Sequence, residues 1–237
     1  MTNYNENIQK AYEIKGSTSK FINEVIQEYR LEKGKITADR NLSQEGKREA
    51  TGKLSTKYEV GFLVEMNKRR EEYESLLLTG KDAAEQVLTA ALPPVSEQQQ
   101  KLFDMTLKSV EGKVTFAVGI NQAMGALEAL VKAANEPLLA EKATESFLKL
   151  SQSTLALAAD TDKAVIKQRL GTLYNQLDGK AQVEGSQEAR EALSTINAMK
   201  GASFAIGYVQ DVMKEVSKDA AEYLNTPSDY LFKMGLK

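Results

Sequence analysis

Residues 44–78, QEGKREATGKLSTKYEVGFLVEMNKRREEYESLLL, have an apolar side chain at nearly every third or fourth position. That spacing places the apolar side chains on one face of a helix and leaves the opposite face charged. Ser43 is a good N-cap for this helix, and Thr79-Gly80-Lys81 is expected to end it. Its apolar stripe is a candidate partner-binding surface and consists of Leu54, Tyr58, Phe62, Met66 and Tyr73.

A second amphipathic helix precedes this one. Apolar residues recur at helical spacing from Ile8 to Tyr29. Gly16-Ser17-Thr18 is expected to break or kink the helix, and Gly34 is expected to end it. The two helices, followed by a shorter one before Pro93-Pro94, predict a first domain at residues 1–92 that is a long, coiled-coil-like helical hairpin.

Beyond the proline pair, the composition shifts from long charged side chains to Ala and Gly. Ser96 and Gln99 form a capping-box pattern, which predicts a helix from about residue 97 to 134. Further helices are expected, the last long one reaching about residue 224, and Thr226-Pro227 starts a short C-terminal helix. The sequence therefore predicts an all-α fold, with an antiparallel helical bundle at residues 95–237.

An eight-residue segment occurs twice, as TFAVGINQ at residues 115–122 and as SFAIGYVQ at residues 203–210. Both copies are expected to lie within helices, where a glycine costs about 1 kcal/mol of helix propensity. Close approach of two helix backbones at the glycines would offset that cost and would explain the repeat. The alternative is that the two segments match by chance. The candidate helix–helix interface consists of Phe116, Gly119, Gln122, Phe204, Gly207 and Gln210.

The chain contains no His, Cys or Trp. This composition excludes Ser-His-Asp and Cys-His nucleophiles, ordinary zinc sites and disulfides. We therefore expect no catalytic residue, metal, cofactor or small-molecule substrate. The 31 basic and 33 acidic side chains give a net charge of −2, which argues against specific nucleic-acid binding.

Two apolar segments are expected to pack against the rest of the chain, another subunit or a membrane. The run from Val114 to Val131 is apolar nearly all round, which predicts a buried core helix, with an oligomer interface or membrane entry after rearrangement as alternatives. Glu128 makes constitutive membrane insertion costly, so none is expected. Tyr230, Leu231 and Phe232 form a candidate docking tail, which packs on its own bundle or anchors another subunit.

The turn Asn41-Leu42-Ser43-Gln44-Glu45-Gly46-Lys47 leads directly into the charged helix. This segment resembles the helical hairpins of structural or head-assembly proteins of tailed bacteriophages that infect Gram-positive bacteria. The resemblance covers residues 41–78 of 237 and implies no particular functional residue.

These observations predict a non-enzymatic helical structural or assembly protein, related to a phage virion or to head morphogenesis. It is expected to act through helix-mediated contacts with protein partners and to form a homo-oligomer. The polar N-terminus has no secretory pattern, so the expected location is the host cytoplasm, and the virion if the chain is phage-encoded. The alternatives are a soluble phage-encoded inhibitor of a host factor and a membrane-active α-helical protein.

Overall fold

A computed structural model describes residues 3–205 and 207–236 and shows an all-α chain, as the sequence predicts; no strand occurs in these ranges. In chain order the helices are α1 (Asn3–Ala38), α2 (Gln44–Leu88), α3 (Glu97–Thr115), α4 (Ile120–Ala133), α5 (Pro137–Ala156), α6 (Lys163–Lys180), α7 (Ser186–Gly201), α8 (Gly207–Met213), α9 (Lys218–Glu222) and α10 (Pro227–Lys233).

The chain divides into two compact units. The hairpin unit consists of Met1–Gln86 and Gln187–Lys237, and the inserted bundle consists of Val87–Ser186. The C-terminal residues therefore belong with the N-terminal hairpin, whereas the sequence predicts that they share one bundle at residues 95–237. The physical reason is the apolar stripe of α2, which is covered not only by α1 but also by side chains of the C-terminal segment, such as Met199 and Met213.

In the hairpin unit, α1 and α2 run antiparallel. The Phe21 and Phe62 rings stack with centroids 5.9 Å apart, and the Tyr29 and Ser55 hydroxyls lie 2.9 Å apart. Later residues of α1 therefore lie beside earlier residues of α2. Large aromatic side chains fill the space between the two helices, so each helix is stabilised mainly by tertiary packing.

Both helices continue through the glycines that were expected to interrupt them. The predicted break at Gly16-Ser17-Thr18 is wrong, as are the predicted ends at Gly34 and at Gly80. A Cβ on Gly80 would lie 3.4 Å from Asn7 Cβ and from Ile196 Cδ1, so glycine permits close packing there. Burial of the long apolar stripe outweighs the cost of about 1 kcal/mol per glycine.

Two predicted N-caps are confirmed. Ser43 Oγ accepts a hydrogen bond from the Gly46 backbone N–H at 3.1 Å, at the start of α2. Ser96 Oγ accepts from the Gln99 N–H at 3.2 Å, and Gln99 Oε1 accepts from the Ser96 N–H at 3.1 Å. Local hydrogen bonding therefore sets both helix starts where the sequence places them.

The inserted bundle contains α3, α4, α5 and α6. Lys142 Nζ lies 2.6 Å from Asp104 Oδ1, which joins the early turns of α5 and α3. Lys180 Nζ donates to the Val131 carbonyl at 2.7 Å, which joins the late turns of α6 and α4. Alternate helices are thus parallel and successive helices antiparallel, so the α3–α4 and α5–α6 corners lie at the same end of the bundle.

The predicted helix from 97 to 134 is two helices. Residues 116–119 separate α3 from α4, and Gly119 is the N-cap of α4 in an extended conformation, with φ −163° and ψ 162°. The predicted core role of this run is confirmed for α4, which buries Met124, Leu127 and Leu130. The expected long helix that reaches residue 224 is likewise divided into α7, α8 and α9.

Candidate interaction surface

The apolar stripe of α2 is part of the core of the hairpin unit. Phe62, Met66 and Tyr73 are at most 4% exposed, Leu54 is also buried, and Tyr58 is half-buried. They pack with α1 and with residues of the C-terminal segment. The stripe is therefore not the free partner-binding surface that the sequence suggests, because its own chain already covers it.

The C-terminal tail docks on the same core. Tyr230 and Leu231 are buried, and the Tyr230 hydroxyl donates to Glu59 Oε1 on α2 at 2.6 Å. Burial of the hydroxyl, together with its bond to Glu59, raises the pKa of Tyr230. Phe232, in contrast, is 82% exposed. The tail thus packs on its own chain, which is the first of the two predicted alternatives, and Phe232 lies outside the core.

The repeated segment lies at helix corners in both copies. Residues 116–119 join α3 to α4, and residues 202–206 join α7 to α8; Ile206 lies outside the described residues. A Cβ on Gly119 or Gly207 would meet no described atom of another segment within 4 Å. The predicted helix–helix contact at these glycines is therefore wrong, and the two copies belong to different units.

The other four residues of the predicted interface also have different surroundings in the two copies. Phe204 is 7% exposed and packs on Tyr73, with ring centroids 5.2 Å apart. Phe116 is 81% exposed. Gln122 Oε1 accepts from the Val118 backbone N–H at 3.3 Å, and Gln210 is exposed. One copy of the motif thus contributes to a core, whereas the other presents its aromatic ring to solvent.

The exposed Phe116 ends a stripe along the outer side of α3. Leu102 is 57% exposed and Met105 is 69% exposed, and Ser109 and Gly112 continue the same line. The buried residues of α3, among them Phe103, Leu107, Val110 and Val114, lie on the opposite side. We name the outer surface formed by Leu102, Met105, Ser109, Gly112 and Phe116 the α3 face.

The charges around the α3 face are mainly positive. Lys101, Lys108 and Lys113 are exposed beside it. The acidic Asp104 is bound to Lys142 of α5, and Glu111 accepts from Ser146 of α5 at 3.3 Å. Glu97 lies 4.0 Å from Lys101 at the start of the helix. The face therefore combines apolar side chains toward both of its ends with a basic rim.

Further apolar side chains lie at the end of the bundle where α3 finishes. Val118, in the α3–α4 corner, is 97% exposed. Leu157 and Val165, at the α5–α6 corner of the same end, are 40% and 59% exposed. A concentration of exposed apolar side chains is unusual for a surface that contacts only water, and such patches are commonly interaction sites.

Sequence reasoning missed the α3 face, although one signal was available. Helix α3 has one apolar stripe at positions 103, 107, 110 and 114 and a second at 102, 105 and 116. Its capping box identified the helix but did not indicate that two sides of it are apolar. The bundle covers only one of these two sides.

A cavity of about 580 Å³ lies in the hairpin unit. Its wall includes the α7–α8 corner, where the Tyr73 hydroxyl donates to the Met199 carbonyl at 3.0 Å. Asn225 Oδ1 accepts from the Ala205 N–H at 2.8 Å, and Arg70 Nε donates to Glu74, also in the cavity wall, at 2.7 Å. The bonds from Tyr73 and to Asn225 hold the corner in place, so these two side chains have a structural role.

No protein-family model, curated protein or solved structure gives a significant match to this chain. Within residues 3–205 and 207–236, no cluster of three or more acidic side chains has an arrangement that could hold a metal ion. Nor does any helix of these ranges combine the length and apolarity needed to cross a membrane.

Proposed function

We propose that this chain is a non-enzymatic helical structural or assembly protein, and that the α3 face is the surface through which it contacts protein partners. The observation that supports this proposal is the exposed apolar line of Leu102, Met105 and Phe116, framed by lysines. From the resemblance at residues 41–78 we further propose that the chain acts with head or virion components of a tailed phage, in the host cytoplasm.

The size of the exposed apolar surface indicates the strength of such a contact. Burying Leu102, Met105, Phe116 and Val118 would contribute about 1.5–3 kcal/mol for each side chain. Their sum, roughly 6–12 kcal/mol, is comparable with the roughly 4–15 kcal/mol that association costs in lost freedom. One contact is therefore weak by itself. Such contacts become strong when many are made together in an assembly.

Photo-cross-linking in the cells that naturally make the chain tests the proposal. A benzophenone amino acid at position 105 or 118 is expected to capture assembly or virion proteins, or the chain itself, in a few defined products. The same probe at the exposed Gln176 on α6 is the matched control. Equal and diffuse products from all three positions would contradict the proposal, and capture of one host regulatory protein would favour an inhibitor instead.

A further inference from the structure

The α3 face has the spacing of a helix–helix seam. Its positions 102, 105, 109, 112 and 116 advance by three and four residues in alternation. That alternation is the heptad spacing of the a and d positions, at which one helix packs along another. The face is therefore shaped for a helix that lies along α3 over about 21 Å, at roughly 1.5 Å per residue.

The sizes of the side chains along the seam identify the second helix. When α3 is laid antiparallel on a second α3 with Ser109 opposite Ser109, Leu102 of one copy opposes Phe116 of the other. Met105 then lies one residue from exact opposition to Gly112, which is the seam position of the other copy nearest to it. A long flexible side chain thus faces the one residue without a side chain, and the small serines meet at the centre, as close helix packing requires.

Gly112 leaves room for this register. A Cβ on Gly112 would meet no described atom of another segment within 4 Å, so packing within its own bundle does not require glycine there. Glycine in the interior of a helix nevertheless costs about 1 kcal/mol relative to alanine. Space for Met105 of another copy is a physical reason for a glycine at this position.

The surface available is large enough for a weak, specific dimer. The exposed parts of Leu102, Met105 and Phe116, together with Val118 in the adjoining α3–α4 corner, amount to roughly 500 Å² per copy, taking about 150–200 Å² for each residue. Standard interfaces bury about 800 Å² per partner. The aliphatic stems of Lys101, Lys108 and Lys113 provide much of the remainder, since lysine covers apolar surface while its ammonium stays in water.

We propose that two copies of this chain associate through the α3 face as an antiparallel, two-fold symmetric pair with Ser109 at the axis. The inference rests on the proposed function and names the partner as a second copy. A two-fold contact of this kind is isologous, so it closes as a dimer that serves as the unit of assembly.

The lysines give the dimer a diagnostic response to salt. In this register Lys108 of each copy lies beside Lys108 of the other, and like charges repel. Salt screens that repulsion, with a Debye length of about 10 Å at 0.1 M. Dimerisation is therefore expected to strengthen as salt increases, opposite to a contact held by ion pairs.

Cysteine cross-linking tests the register, because the natural chain contains no cysteine. A Ser109→Cys variant is expected to form a disulfide-linked dimer at least several-fold faster than a Gln176→Cys variant under the same mild oxidant. Both positions are exposed, so both variants are expected to keep the native helix content by circular dichroism. Equal rates for the two variants would overturn the proposal.

Sedimentation velocity tests the two-fold charge arrangement. A 1:1 mixture of the wild-type chain and a Lys108→Glu variant is expected to dimerise more tightly than either alone, because a lysine faces a glutamate across the axis only in the mixed pair. An unchanged or weaker association of the mixture would contradict the arrangement. A wild-type chain that stays monomeric to roughly 100 µM would also overturn it, since that limits Kd to the weak range.

These outcomes separate the dimer from the broader function. If the chain stays monomeric but positions 105 and 118 still cross-link to assembly proteins in cells, the two-fold pair is wrong and the proposed function stands. If neither experiment gives a specific product, both are wrong.

Discussion

The two copies of the repeated segment differ in what surrounds their phenylalanines. Phe204, in the hairpin unit, is 7% exposed and lies against the Tyr73 ring. Phe116, in the inserted bundle, is 81% exposed, although its neighbours in sequence are nearly the same. Local sequence therefore sets a helix corner in both places, whereas tertiary packing decides which phenylalanine stabilises the fold and which one is available to a partner.

Alanine substitution at the two phenylalanines should produce the largest contrast. Phe204→Ala is expected to lower the free energy of unfolding by about 3–5 kcal/mol, because it leaves a cavity in a packed core. Phe116→Ala is expected to change it by no more than about 0.5 kcal/mol, as for an exposed site. Urea denaturation at low protein concentration measures both. Equal losses would show that Phe116 is part of a core.

The hydroxyl of Tyr73 supports only the buried copy. Tyr73→Phe keeps the ring against Phe204 but removes the hydrogen bond to the Met199 carbonyl. The Met199 carbonyl keeps the Ala202 N–H as a donor at 3.4 Å, so removal of the tyrosine hydrogen bond is expected to cost about 0.5–1.5 kcal/mol in urea denaturation. Tyr208→Phe is the matched control, since Tyr208 is 75% exposed, and a loss as large in the control would refute this explanation.

The free energy of unfolding at alkaline pH gives a further test of packing in the hairpin unit. Burial is the main cause of the raised pKa of Tyr230, and Glu59 adds to it. A tyrosine whose pKa is higher in the folded than in the unfolded chain stabilises the fold fully below its unfolded pKa of about 10. That contribution is lost as the pH rises above this value.

Tyr230→Phe is therefore expected to flatten the decline of unfolding free energy above about pH 10, because the variant has no phenol to ionise in the unfolded chain. Denaturation series at several alkaline pH values measure the slope. The exposed Tyr208→Phe change serves again as the control. A slope that stays as steep in Tyr230→Phe as in the wild-type chain would contradict this origin of the alkaline instability.

The smallest effect is expected at the start of α4. Gly119 is its N-cap in an extended conformation, and it has no side chain to accept a hydrogen bond from the first turn. Gly119→Ser supplies such an acceptor in open space, so a gain of a few tenths of a kcal/mol is expected. A clear loss in thermal unfolding would show that the corner needs glycine for a reason other than capping.

Sequence predicted the parts of the fold that depend on local chemistry. The helix starts at Ser43 and Ser96 follow from hydrogen bonds within four residues, and the amphipathic spacing of α2 follows from burial of one face. Glycines misled the prediction because local propensity is weaker than tertiary packing. Gly34 and Gly80 lie inside helices, whereas Gly119 starts one.

The division into units and the interaction surface depend on long-range packing. The stripe of α2 looks like a partner surface until residues such as Ile196 and Phe204, more than a hundred positions away, are seen to cover it. The α3 face cannot be told from other parts of the helix until its exposure is known. A pattern of apolar residues shows that a side is buried by something, but it does not show by what.

Methionine oxidation by hydroxyl radicals gives the most direct test that the α3 face is a contact surface between copies. Met105 is 69% exposed, Met234 is 49% exposed, and Met66 and Met124 are buried, so the chain contains its own standards. Between dilute and concentrated protein, oxidation of Met105 is expected to fall several-fold while that of Met234 stays constant. Oxidation of Met105 at the same rate in both samples would contradict the account.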